Sequence, residues 1–170
     1  LLKSPGHYAN IVAEAVTHIA VGIVRGGLAD PANLLFVQVF AAPVPDQSPS
    51  EVAAAVAARV SDARRERRLA PLSVDPRLTK IAERRAPEAG PALARGALDG
   101  VAKAALGDVE QAAPNVYARV AVAATELLAA SMYTPTPAAL APDARALGIG
   151  VAEAKDDKGR RAFVVLLLVG

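Results

Sequence analysis

Two histidines, His7 and His18, are the only imidazoles in this chain of 170 residues, and cysteine is absent. That composition removes disulfides, thiolate zinc sites and a cysteine nucleophile, and two imidazoles cannot make a three-histidine metal centre. The two lie eleven positions apart and read as belonging to different elements, unlike the i, i+4 pair that holds a metal on one helix face. His7 stands in Ser4-Pro5-Gly6-His7, a helix start, where it is either one wall of a cleft or a ring that satisfies backbone groups. His18 follows Thr17 and reads as a sheet-edge residue. No histidine occurs between His18 and Gly170, and none of Ser48, Ser50, Ser61, Ser73 and Ser131 lies in a G-x-S-x-G setting, so a serine triad finds no support. There is no nucleotide-binding glycine motif: Gly148-Ile149-Gly150 lies in an apolar strand pattern and precedes no helix.

Charge is equally restrained. The net charge is +2, and the densest run, Arg64-Arg65-Glu66-Arg67-Arg68, reads as the exposed last turn of a helix, where cations oppose the negative end of the dipole. With three tyrosines, three phenylalanines and no tryptophan, stacking platforms for single-stranded nucleic acid are lacking, and no nucleic-acid partner is expected. Hydrophobic residues make up 53% of the chain, which excludes intrinsic disorder. The apolar run at 163–169 falls far short of the roughly 20 residues of a membrane-spanning helix. Forty alanines, and fourteen arginines against five lysines, read as a high-GC bacterial coding bias.

The elements that must position these groups follow from periodicity. Ser4 and Pro5 open a short helix running to about Glu14, and residues 18–24 and 34–40 are β-branched, aromatic-rich runs joined by a Gly- and Pro-bearing loop, hence a hairpin. Residues 43–50, PVPDQSPS, read as a linker. Ser50 is expected to cap a helix over 51–69, with Val52, Val56 and Val60 on its apolar face. Asp75-Pro76 opens a second helix expected to end near Pro87, and residues 91–107 read as a weaker helix interrupted by Gly96 and Gly100. Alternation over 115–124 suggests a strand, 125–132 a short helix, 147–152 and 162–169 a closing hairpin, and Asp156-Asp157-Lys158-Gly159 its turn.

The two hairpins resemble each other. Val21-Gly22-Ile23-Val24 falls on Ile149-Gly150-Val151-Ala152 at an offset of 128, and Phe36-Val37 falls on Phe163-Val164 at 127. A tandem repeat of about 130 residues follows, with residues 1–43 as the C-terminal part of one unit, 44–50 as a Pro-rich linker and 51–170 as a complete, divergent second unit. The chain opens inside a structural pattern, as if cut from a longer parent, and shows no signal peptide.

Ser4-Pro5-Gly6-His7-Tyr8-Ala9-Asn10-Ile11, Thr17-His18-Ile19-Ala20-Val21-Gly22-Ile23 and Phe36-Val37-Gln38-Val39-Phe40 together resemble the closing third of the CAP superfamily, the SCP-like extracellular proteins of cysteine-rich secretory, antigen 5 and pathogenesis-related type. Tyr8 stands where that pattern has arginine, and Ala20 where glycine is common. Leu69, Pro71, Leu72, Asp75 and Leu78 are similar, more faintly, to the family's opening helices. The resemblance implies an α/β fold, a three-layer α-β-α sandwich, and a secreted bacterial module, extracellular or periplasmic, that acts by binding a protein, lipid or cell-wall component. It also implies that His7 matches a cleft histidine, a weak metal ligand whose partners lie outside this chain, with zinc in the parent's N-terminal unit as the only cofactor left open and no catalytic residue in the complete unit. A metal-dependent or hydrolytic enzyme with its cleft in the truncated unit, and a structural spacer of a surface protein, are the alternatives.

Overall fold

The computed structural model describes residues 5–11, 16–26, 34–41, 45–114, 116–117, 119–156 and 158–170, without the side chains of His7 and Asn10. Two compact units divide at Pro45 and Asp46.

The first unit contains helix α1 (Pro5–Ile11) and the antiparallel strands β1 (His18–Arg25) and β2 (Leu34–Ala41), with Gly22 opposite Val37 and Ile23 opposite Phe36. The expected hairpin is present at nearly its expected bounds. The expected cap Ser4, the end of the helix beyond Ile11 and most of the connecting loop lie outside the described residues.

The second unit is a three-layer α-β-α sandwich, as expected. Helix α2 (Pro49–Glu66) is followed by β3 (Ser73–Val74), α3 (Pro76–Ala94), α4 (Leu98–Ala112), β4 (Ala121–Leu127), two short 3₁₀ turns, and the long strands β5 (Ala146–Lys155) and β6 (Arg161–Val169). The sheet order is β3-β5-β6-β4, antiparallel except for the brief β3-β5 pairing. Strand β6 lies at its centre and is buried on both sides, which is why it reads as an unbroken apolar run. Phe163, Val165, Leu167 and Val169 face α2 through Val52, Val56 and Val60, while Val164, Leu166 and Leu168 face α3 and α4.

Several boundaries differ from the sequence reading. Ser48, not Ser50, caps α2, because only Ser48 places a glutamate at the third helical position: Ser48 N–H donates to Glu51 Oε2 at 2.7 Å and Glu51 N–H donates to Ser48 Oγ at 3.3 Å. Residues 46–48, expected in the linker, belong to the second unit: Asp46 pairs with Arg161, and Gln47 Oε1 accepts from Ala130 N–H. Helix α3 runs through Pro87 and Pro91 to Ala94. Both prolines and Glu83, whose carbonyl loses its partner at Pro87, are exposed, so water can satisfy the freed acceptor while Ala82, Ala86 and Ala89 stay on the sheet. The helix ends in a Schellman motif at Gly96 (φ 63°), with Ala97 N–H donating to Ala92 O at 2.8 Å and Gly96 N–H to Leu93 O at 3.0 Å. Residues 125–127 extend β4 instead of forming a helix, because their partners on β6 continue to Phe163.

The close packing of α3 on β5 depends on two glycines. A Cβ on Gly150 would lie 2.1 Å from the backbone carbon of Ala82, and one on Gly148 would lie 2.3 Å from that of Leu78. No rotamer change relieves a clash with backbone, so the helix itself must move. Gly150→Ala is therefore expected to cost about 3 kcal/mol, read as a fall in the urea midpoint at unchanged slope; a change within 0.5 kcal/mol would contradict this packing.

Candidate functional site

At one end of the second unit, the segment before β4 and the loop before β5 enclose a cleft of about 480 Å³. Its walls are apolar, from Val116, Ala121, Ala138, Ala141 and Val169, and Tyr117, Arg119, Asp143 and Arg145 bring polar groups to it. Arg119 is paired with Asp143. Arg145 makes no ion pair among the described residues, and its Nη1 donates to Pro142 O at 2.7 Å and Ala144 O at 2.8 Å.

The wall at 138–146 is held by an unexpected residue. Arg64, expected on an exposed helix turn, is completely buried. Its Nε donates to Ala70 O at 2.7 Å, Nη1 to Ala139 O at 2.8 Å and Ala141 O at 3.0 Å, and Nη2 to Ala144 O at 3.4 Å. One planar guanidinium thus satisfies four carbonyls of irregular chain that no ladder could reach. Burial, and then the nearby charge of Arg145, lower its pKa from the ordinary arginine value. The position within α2 was the available signal: Val52, Val56, Val60 and Arg64 share one helical stripe, so the first arginine of the run continues the buried face while its successors turn outward.

Beside the cleft, Tyr117 packs its ring against Gly170 and donates its hydroxyl to Asp75 Oδ2. Asp75 caps α3: Arg77 N–H donates to Oδ1 at 2.7 Å, Leu78 N–H at 3.4 Å, and Arg77 Nη2 donates to Oδ2 at 2.9 Å. The Arg77 side chain foremost, with Tyr117 and the two backbone donors, holds the Asp75 carboxyl far below the usual range against the opposing effect of burial. Tyr117 is pushed up by burial and by its acceptor carboxylate. On the far side of α3, Asp108 joins α4 to Arg85 at 2.7 Å and to Arg84 at 2.8 Å.

His18 lies exposed at the start of β1, as the sheet-edge reading expects, with Nδ1 2.9 Å from the Thr17 hydroxyl. The backbone of His7, the expected cleft histidine, lies in α1, and its side chain lies outside the described residues. Among the described residues no group of three or more metal-ligating side chains converges. No helix is long and apolar enough to cross a membrane among those residues. Comparison with protein-family models, with curated proteins and with solved structures finds no match to this chain.

Two measurements check this arrangement. Arg64→Leu removes the donor that Arg64 gives Ala70 O and Ala139 O and one of two donors at Ala141 O and Ala144 O, and is expected to lower unfolding free energy by about 3 kcal/mol, with faster hydrogen exchange over 138–146. Because the carboxyl of Asp75 is depressed in the folded state, its contribution is fully present above about pH 4 and is lost as pH falls toward the lower folded-state value. Asp75→Asn keeps a capping side chain, so the stability difference from wild type should be constant from pH 5 to 7 and shrink on acidification below about pH 4; denaturant titrations across that range show whether it does.

Proposed function

We propose that the second unit is a non-catalytic binding module whose ligand is a small amphipathic anion, an acyl chain ending in a carboxylate or phosphate. The observation that carries this reading is the cleft of about 480 Å³ with apolar walls and the Arg145 guanidinium at it, a size and a mix of apolar surface with a few polar anchors that suit a small ligand. An acyl chain matches walls of alanine and valine, and a free anion matches a guanidinium without a carboxylate partner. Acid–base catalysis has little to work with here: the unit contains no histidine, Asp143 is engaged by Arg119, and Asp75 is held ionised by Arg77.

The resemblance of residues 4–40 to CAP proteins supports the wider setting of the proposal, a secreted or periplasmic bacterial protein, and a lipid or lipid-like cell-wall component is the ligand source in keeping with that setting. The experiment is a titration of the 170-residue chain with decanoate, followed by amide chemical shifts. Saturable shifts confined to residues around the cleft are expected, weakened about tenfold by Arg145→Ala, the scale of one lost charge-assisted hydrogen bond, and abolished by Ala121→Leu, which fills the cavity. Decanol should bind at least about tenfold more weakly. No saturable response to either compound, with the fold intact by circular dichroism, would make the unit a spacer.

A further inference from the structure

Among the described residues, the hairpin β1-β2 has two apolar, exposed faces. Ile19, Val21, Ile23 and Phe36 lie on one, Val24, Leu35, Val37 and Val39 on the other, and these side chains are 47–59% exposed. An isolated two-stranded hairpin is marginal in water, and strands apolar on both sides belong inside a layered fold.

The closing hairpin of the second unit shows what that layering is. Gly150 is opposite Leu166 in β5-β6, as Gly22 is opposite Val37 in β1-β2. The two ladders coincide when β1 is carried onto β5 at an offset of 128 and β2 onto β6 at 129. Phe36 then falls on Val165, two residues beyond the Phe163 that the apolar pattern had suggested; a slip of two leaves every side chain on its original face. Face by face the match holds. Ile19, Val21 and Ile23 take the places of Leu147, Ile149 and Val151, which pack toward α2. Ala20 and Gly22 take the places of Gly148 and Gly150, against which the α3 backbone lies, yet a Cβ on Gly22 would meet nothing within 4 Å.

We infer that β1-β2 is the closing hairpin of a second copy of the three-layer fold, covered by about 80 residues of the same polypeptide that precede Leu1. An α2-like helix seats on the Ile19–Phe36 face. An α3-like helix, with small residues one turn apart, crosses at Gly22 and stands off at Ala20, whose Cβ has no counterpart on Gly148. A β4-like strand pairs with the free edge of β2. The spacing of small and large side chains decides which helix takes which face, because only the face that carries Gly22 has a position without a Cβ.

The test compares hydrogen exchange in the 170-residue chain with that in a polypeptide extended by its natural preceding residues. In the shorter chain, β1-β2 amides should exchange with little protection and the chain should bind anilinonaphthalene sulfonate; in the longer one, protection should rise at least about 100-fold and dye binding should be lost. Gly22→Leu should remove that gain in the longer chain, leave the second unit's unfolding transition in place as an internal control, and change nothing in the shorter chain. Strong protection already present in the shorter chain as a monomer would overturn the inference. Concentration-dependent protection, which would make a second copy the occupant, would also overturn it, as would an unprotected hairpin in the longer chain or a start codon immediately before Leu1.

Discussion

Backbone lies on backbone where α3 crosses β5, and the second unit is arranged around that contact. Gly148 and Gly150 remove the Cβ atoms that would hold the helix away, and Leu78 and Ala82 occupy the space. Once α3 is that close, Ala86 and Ala89 come to rest against the sheet, and the even-numbered side chains of β6 reach both α3 and α4. A chain with forty alanines has few large side chains with which to fill a core. Close approach of layers is the alternative way to reach the density of a protein interior, and it makes small residues the specifying ones.

On the opposite face, α2 supplies bulk through three valines and then, one turn later, a buried charge. Arg64 stands where a fourth apolar residue would sit, and its guanidinium reaches past the sheet into a stretch of chain that has lost regular hydrogen bonding. The carbonyls at 139, 141 and 144 lie within reach of one another, and a fork of N–H groups at the end of a long stem can meet several at once. Four neutral acceptors compensate the desolvated cation, in place of a carboxylate. The wall of the cleft is consequently a fixed surface anchored to the core. Its two exposed arginines differ in availability, since Arg119 is neutralised by Asp143 and Arg145 has no carboxylate partner among the described residues.

Both hairpins of this chain are antiparallel and carry a glycine in their first strand, Gly22 opposite Val37 and Gly150 opposite Leu166. In one, glycines receive a helix; in the other, the corresponding glycine faces open space. Pairing geometry sets which side chains share a face, so the comparison of the two hairpins is made by face and not by residue identity.

Much of this was readable in the order of residues. Apolar, β-branched runs marked β1, β2, β5 and β6, valines four apart marked α2, and Asp75-Pro76 marked the start of α3, since these signals arise from local geometry alone. The absence of cysteine, and of histidine beyond His18, bounded the chemistry without coordinates. Other features depended on partners distant in sequence. The passage of α3 through two prolines rests on alanine packing against a sheet formed some 60 residues later. The burial of Arg64 rests on carbonyls about 75 positions away. The cleft, and which arginine in it is free, arise where the segment before β4 meets the loop before β5, and no local pattern encodes such a meeting because proximity there is set by packing and not by neighbourhood along the chain.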